Sequence, residues 1–303
     1  MTPRALAAAA LAGGLALCGI GDAAEVLGSK PGYLASGPGP VPNPQAITRM
    51  IWAPGLEEGY IPQGLTPAEG AVLLSAYRSA GPKVSTGPCR VFRLDPRTGA
   101  TTGYFDLPPG CGHAGGLAYL GGGSLIVADT RRLYRIEMHK AFAERSARNA
   151  LQGAVRLGGE VKGAFAAFDG KDLWVGVYDR DEAKSKLYRF PLTIFEEFNG
   201  KGVLREDRAL AALPVPKEAQ GAAFDRAGNL WTTSSGSRFG RLHKLDPRTG
   251  EVRAAHEMVI GIEGIGFDEE GRLWSVSEAG SRRWSRWKVT FPIVFQVDIS
   301  KLR

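Results

Sequence analysis

The stretch "IEGIGFDEEGRLWSVSEAG", residues 262–280, carries two glutamates among small and β-forming neighbours, Glu263 and Glu278. Carboxyls in that setting suit two kinds of chemistry. One is proton transfer, where one carboxyl gives a proton and another takes it. The other is a hard-cation site, because a divalent cation such as calcium takes oxygen ligands. Structural pairing with a nearby Arg is the third reading. His113, in "PPGCGHAGG", is the only one of four histidines beside a comparable small-residue stretch. It joins the glutamates as a candidate catalytic group, with a packed or capping histidine as its alternative. Nothing in the chain resembles a metal-ligand run, a G-x-S-x-G elbow or a phosphate loop.

Directly after Glu278, "SRRWSRWK" sets Trp284 and Trp287 among Arg282, Arg283, Arg286 and Lys288. Indole with flanking guanidinium suits sugar rings, aromatic groups or phosphates, through stacking and bidentate hydrogen bonds. The plainer reading is a lid, with both indoles packed down and the cations solvated above. A single short basic cluster is a poor footprint for nucleic acid. The net charge of +7 would draw the protein toward anionic surfaces.

What must position these residues is a repeat. "LDPRTG" occurs at 94–99 and at 245–250, each time closing an alternating run: "CRVFRLDPRTG" and "GRLHKLDPRTG". Asp-Pro with a following Gly is strong turn chemistry. "RRLYRIEM" (131–138), "SKLYRFPL" (185–192) and "PIVFQVDI" (292–299) share the period-two alternation of a strand. Upstream of each run lies a second element: "LLSAYR", "LIVADT", "LWVGVY", "LWTTSS" and "LWSVSE". Before that comes a third, rich in Gly and Ala: "QGLTPA", "GGLAYL", "AFAAFDG", "QGAAFDRAG" and "EGIGFDEEG". Small residues suit a strand crowded against its symmetry mates. The order of small strand, L-W strand, aromatic strand and outer strand repeats five times. Its spacing of roughly 42–55 residues is that of four-stranded propeller blades.

The expectation is an all-β fold, a β-propeller with five blades. The last repeat supplies only three strands, and "ITRMIWAP" (47–54) is a spare strand ahead of the first. A ring closed by that N-terminal strand in the last blade has no free edge. A six-bladed ring is the alternative, but it needs another blade from residues 24–60, which lack the pattern. "MHKAFAERSARNALQG" (138–153) has helical composition and reads as one short helical insertion between the second and third blades.

In this architecture the inner strands begin at one face, and the links from second to third strands return to it. Inner-strand starts bring Gln63, His113, Gln220 and Glu263 to that axial mouth. Second-strand ends bring Tyr77, Asp129, Tyr178, Ser234 and Glu278, with Arg78, Arg131 and Arg180 beside them. Gln63 and Gln220 have the alternative of bonding backbone at the channel rim. His243 fills the slot held elsewhere by Phe92, Tyr134, Tyr188 and Phe295, which marks it as structural. The loop 279–291 joins the second and third strands of the final blade, so its Trp284 and Trp287 belong to the same face.

"EGIGFDEEGRLWSVSEAG" and "QGAAFDRAGNLWTTSSGSRFGRLHKLDPRTG" resemble secreted NHL, SMP-30/gluconolactonase-like and streptogramin-lyase-like propellers. They are also similar to esterase-like phytase and SdiA-regulated propellers, whose repeats carry an E-G-I…S-E pattern. The likeness spans most of residues 60–300 at the level of the blade. In SMP-30-like lactonases a Glu, Asn and Asp set holds a divalent metal. Glu263 matches the Glu-Gly element of that set, while Asn43, Asn149, Asn199 and Asn229 all lie away from inner-strand ends. The histidine that a streptogramin lyase would need has no counterpart.

Residues 1–23 read as a secretory signal peptide: Arg4, an apolar run over 5–20, and small residues Gly21 and Ala23 before the expected cut. A lipoprotein signal through Cys18 fits less well, since Leu17 rather than a small residue precedes it. Residues 24–46 are a Pro/Gly-rich arm, and 47–303 form a single propeller domain. No later run is long enough to span a bilayer. A periplasmic or secreted monomer is expected. In an oxidising compartment Cys89 and Cys111 would form a disulfide. Two functional readings stay open. One is a binding module that holds a small anionic or sugar-like ligand at the mouth. The other is a metal-assisted hydrolase or lyase using Glu263, Glu278 and His113.

Overall fold

The computed structural model describes residues 25–79 and 87–303. The expected signal peptide and Cys18 lie outside the described residues. The chain begins with β1 (Val26–Leu27) and β2 (Ile47–Trp52). The first blade is β3 (Tyr60–Ala68), β4 (Ala71–Arg78), β5 (Cys89–Leu94) and β6 (Thr101–Asp106). The second is β7 (Gly116–Gly121), β8 (Ser124–Asp129), β9 (Arg132–Glu137) and β10 (Leu151–Arg156). The third is β11 (Phe165–Phe168), β12 (Leu173–Gly176), β13 (Lys186–Phe190) and β14 (Ala211–Pro214). The fourth is β15 (Ala219–Phe224), β16 (Leu230–Ser235), β17 (Gly240–Leu245) and β18 (Val252–Met258).

The fifth blade closes the ring. Its inner strands are β19 (Ile262–Phe267), β20 (Leu273–Ser277) and β21 (Ile293–Val297), and its sheet order is β1-β2-β21-β20-β19. The spare N-terminal strand β2 pairs antiparallel with β21, from Ile47 opposite Val297 to Trp52 opposite Ile293. β1 adds a short parallel rung outside it. The protein is a five-bladed β-propeller whose ring is joined by both ends of the described chain.

One turn motif explains the L-W repeat. In the last three blades Asp169, Asp225 and Asp268 follow the inner strand. Each accepts from backbone N–H groups of the turn with Oδ1, and from the indole N–H of Trp174, Trp231 or Trp274 with Oδ2, at 2.7–2.9 Å. The carboxylate thus fixes the turn and anchors the buried indole between blades. Around the axis the inner strands nearly touch. A Cβ on Gly64 would come within 2.8 Å of Gly116 Cα, and one on Gly264 within 2.8 Å of Gly64 Cα. Backbone approach that close requires glycine, which is why the innermost strands are small-residue strands.

Helix falls differently from expectation. α1 spans only Met138–Glu144 and lies inside the second blade, between β9 and β10. The Glu137 side chain starts it by accepting from His139 N and Lys140 N, and Arg145 ends it in the left-handed region. Leu151 onward is already paired to β9. A second short helix, α2 (Ile194–Glu197), follows β13. The Pro/Gly-rich arm contributes β1 and then runs to the mouth, where Tyr33 Oη donates to Gly280 O at 3.1 Å and Gly39 N to Thr290 O at 2.7 Å. No helix among the described residues is long and apolar enough to cross a membrane.

Candidate functional site at the axial mouth

Three mouth residues sit at breaks in the strand ladder. Register shifts fall between Pro62 and Leu65, between Ala219 and Gly221, and between Ile262 and Ile265. They bracket Gln63, Gln220 and Glu263. A bulge inserts a residue and re-aims its side chain. The backbone left unpaired there is met by hydroxyls of the second strands: Ser75 donates to Gly64 O and Ala114 O, Thr233 to Glu263 O at 2.7 Å, and Ser275 to Gly264 O at 3.0 Å. The L-W strands therefore supply hydroxyls that allow their inner neighbours to bulge.

Glu263 and Glu278 meet on the axis. Glu263 is 1% exposed and Glu278 6%. Gln220 Nε2 donates to Glu263 Oε1 at 2.9 Å. Gln63 Nε2 donates to Glu278 Oε2 at 3.0 Å and to Pro62 O at 2.8 Å. The two carboxyls lie close enough to interact directly. Burial drives Glu263 well above the usual carboxylate range, and the charge of Glu278 drives it further. Burial also pushes Glu278 up to about 7, against the opposing pull of Trp284, Arg283 and Gln63. Two carboxyls in contact and out of water cannot both ionise easily, so the pair holds a proton more tightly than a free carboxyl does.

The loop 279–291 roofs this pair. A short 3-10 turn at Arg282–Trp284 splits two adjacent arginines. Arg282 points outward, donating to Glu57 Oε1 at 2.7 Å and lying 4.5 Å from the Tyr33 ring centroid. Arg283 points inward: its Nη1 donates to the Tyr77 hydroxyl, and its guanidinium lies 4.4 Å over the Trp284 ring. Trp284 and Trp287 stack with centroids 4.8 Å apart, and Trp287 lies on Gly261. The Trp284 indole N–H faces Glu278 without reaching hydrogen-bond geometry. Both indoles are half-buried, so the loop packs as a lid without losing all contact with solvent.

His113 stacks on Tyr77 at 4.9 Å and 29°. Burial holds its imidazole down at about 4, so it is neutral at physiological pH. Among the described residues no hydrogen bond links that ring to either glutamate. Tyr77 is fully buried, and burial raises its phenol far above the usual range. Asp129 is engaged with the chain itself, accepting from the backbone N–H groups of Gly112, His113 and Ala114. Tyr178 donates to Glu218 Oε1 at 3.3 Å, and Ser234 bonds the His243 Nε2 at 2.9 Å inside its blade. The geometry thus gathers Glu263, Glu278, Gln63, Gln220, Tyr77 and Trp284 around Arg283. It leaves Asp129, Tyr178 and Ser234 in local pairs. Arg283 and Glu218 are the residues that sequence reasoning did not single out. Arg283 had only its place in the Arg/Trp cluster to signal it.

Cys89 and Cys111 are joined, with Cα atoms 5.9 Å apart, and bind the start of β5 to the approach to β7. Asp129 lies beside their sulfurs, but thiols spent in a disulfide are not metal ligands. For a cation, the mouth offers two carboxyls and two amides whose N–H groups point at those carboxyls. Calcium takes six to eight oxygens. The donor set as oriented fits a shared proton and does not fit that ion.

A cavity of about 580 Å3 opens at the opposite end of the axis from the glutamates. Pro67, Tyr119, Phe168, Phe224 and Phe267, at or near the ends of the inner strands, line it. Chemistry and open volume therefore lie at different ends.

No protein-family model matches the chain, and no curated protein matches it. Solved structures do. A glutaminyl cyclase from Myxococcus xanthus superposes with a TM-score of 0.57 at 14% identity, covering 83% of this chain and 94% of that one. A PQQ-bound aldose sugar dehydrogenase from Streptomyces coelicolor gives 0.49 at 14% identity, over 86% and 99% of the two chains. A putative gluconolactonase gives 0.43 at 18% identity, over 78% of each. The likeness is one of fold.

Proposed function

We propose that the axial mouth is the active site of an enzyme that moves protons on a small ligand, as a hydrolase or lyase. The observation that carries this reading is the buried carboxyl pair. Two carboxyls held in contact, out of water, cannot both ionise easily, so one stays an acid while the other serves as a base. Burial together with a specific charged partner is the arrangement by which active sites shift the pKa of a carboxyl. Glu263 is the general acid and Glu278 the general base. Gln220 and Gln63 position them by donating to the oxygens that do not take part. His113, neutral and stacked, shapes the wall.

The mechanism follows from the proton. A ligand that enters between the lid and the pair replaces the direct contact of Glu263 with Glu278. Glu263 then gives its proton to the leaving or polarised oxygen. Glu278 accepts one from water or from the carbon or heteroatom being deprotonated. Each positioned proton transfer is worth about 10²–10⁴-fold in rate. No cation is needed for this balance.

A substrate panel of esters, lactones, eliminable uronates and N-terminal glutamine peptides tests the reading. The last class is included because of the Myxococcus xanthus structural neighbour. The wild-type chain should turn over one class. Glu263→Gln and Glu278→Gln should each lose about 10²-fold or more with the fold retained. Activity that survives both substitutions, or that needs added Ca2+ and vanishes in EDTA, would remove the carboxyl-pair mechanism. A pure binding role has one observation in its favour, the stacked indoles of the lid. It predicts ligand binding that is indifferent to both Gln variants. An extracytoplasmic home accords with the Cys89–Cys111 bond.

A further inference from the structure

Seven buried side-chain atoms have no hydrogen-bond partner among the described residues, and three of them fall in four consecutive positions of the lid. They are Ser281 Oγ, Arg283 Nε and Trp284 Nε1. Buried polar groups are nearly always paired, so a cluster of unpaired ones asks what completes it. Two of them, Arg283 Nε and Trp284 Nε1, belong to neighbouring residues whose guanidinium and indole ring lie 4.4 Å apart. Arg283 already spends Nη1 on the Tyr77 hydroxyl, and its plane lies on the Trp284 ring. That stack fixes both donors. The Trp284 N–H faces Glu278, and the charge of Arg283 acts on both glutamates.

We infer that Arg283 Nε and Trp284 Nε1 form an oxyanion site, which receives the carbonyl oxygen of a substrate whose reacting carbon lies over Glu263 and Glu278. This rests on the mouth being the active site, and it names the substrate class as a carbonyl compound: an ester, lactone or amide. Neither N–H makes a hydrogen bond of good geometry within the chain, although the Trp284 N–H faces the Glu278 carboxyl, and such donors match a group that only accepts. The charge balance also favours a neutral carbonyl. With one proton on the pair, Glu278 and Arg283 carry opposite charges, and a neutral carbonyl leaves that balance intact. In the reaction the carbonyl carbon gains a bond from a water oxygen. Glu278 takes the proton of that water, and the C=O electron pair moves onto the oxygen between the two donors. As the pair returns, the bond to the leaving oxygen or nitrogen breaks and Glu263 gives that atom its proton. Donors aimed at the developing charge are commonly the largest single contribution to such catalysis.

The test uses the full mature chain and phenylphosphonate, a tetrahedral anion that imitates the charged intermediate, followed by titration calorimetry. Benzyl alcohol and benzylammonium serve as controls. Arg283→Lys keeps the charge and removes the planar donor. Trp284→Phe keeps an aromatic ring and removes the N–H. The wild type should bind phenylphosphonate and neither control, and each variant should weaken binding by about tenfold or more. Melting curves confirm that the variants are folded, and a variant that does not fold is replaced by Arg283→Gln or Trp284→His. Absence of phenylphosphonate binding by the wild type, equal binding of benzylammonium, or wild-type affinity in the folded variants would overturn the oxyanion site. The outcomes separate from those of the carboxyl pair. Glu278→Gln should keep phenylphosphonate binding while losing turnover. If it instead keeps turnover while the Arg283 and Trp284 variants lose binding, the oxyanion site stands and the acid–base assignment falls.

Discussion

Glu278 is protonated at a pH where an exposed glutamate is not, and that difference has a measurable sign. Its folded-state pKa is about 7 against an ordinary 4.5, with burial as the main cause. Between those values the folded chain holds a proton that the unfolded chain has released. Stability from this group is therefore complete below about 4.5 and is lost as pH rises through about 7. Glu263, raised as well by burial, adds loss of the same sign. The wild-type melting temperature should fall from pH 5 to pH 8 by several degrees. Glu278→Gln, which cannot ionise, should flatten that slope and match or exceed the wild type at pH 8. Parallel melting curves for the two chains across this range would show that the pair is not protonated as described. At this scale the sequence was partly legible. Glu263 and Glu278 stood out because their places in the repeat send both to one mouth. Gln63 and Gln220 stood out for the same reason. Arg283 did not, because the choice between it and Arg282 is made by a 3-10 turn braced on Glu57 and Tyr33, far away in the chain. Asp129 occupies a mouth position in the pattern, yet three backbone N–H groups claim it.

At the scale of the element, strands were readable and connections were not. Period-two alternation and turn chemistry act locally, so β3 to β21 fall where the repeat puts them. The helical composition of 138–153 misled because α1 is only as long as Glu137 and Arg145 permit, after which the chain turns and pairs with β9 from Leu151 onward. The Asp–Trp turn offers a sharp comparison between two similar carboxylates. Asp225 accepts from Ala227 N, Asn229 N, the Asn229 amide and the Trp231 indole, and the indole is buried. Asp95 begins the outwardly similar "DPRTG" turn but caps Arg97 N at the surface, with no indole behind it. Removing Asp225 strands a buried N–H as well as opening the turn. Asp225→Ala should cost about 2–4 kcal/mol, while Asp95→Ala should cost about 1 kcal/mol or less. Urea unfolding of the two variants measures both. Equal losses would mean that the carboxylate serves the turn alone and that the indole anchor contributes nothing.

The whole molecule depends on how the ring is joined. Every blade but the last is one continuous stretch of chain, and the last takes β19, β20 and β21 from one end and β2 from the other. The register runs from Ile47 opposite Val297 to Trp52 opposite Ile293, so most of the length of β21 is covered. Cover is also apolar: Ile51 and Trp52 are buried against the fifth blade and its neighbour. The arm ahead of β2 reaches past this seam to the lid through Tyr33 and Gly39, which ties closure of the ring to closure of the mouth. A chain that starts at Met50 loses the arm, β1 and the first half of β2. It should expose the N–H and C=O groups of β21 as a free edge, which is a template for pairing with a second chain. Light scattering coupled to size exclusion should then show self-association. The melting temperature should fall by about 5 °C or more, since a loss of even 2 kcal/mol moves a domain of this size by that much. The lid tryptophans should become more accessible to acrylamide in the same variant, because Tyr33 and Gly39 no longer hold residues 280 and 290. A truncated chain that stays monomeric, melts with the wild type and quenches no faster would mean that β21 needs no partner and that the lid is held by its own packing on Gly261 and Tyr77.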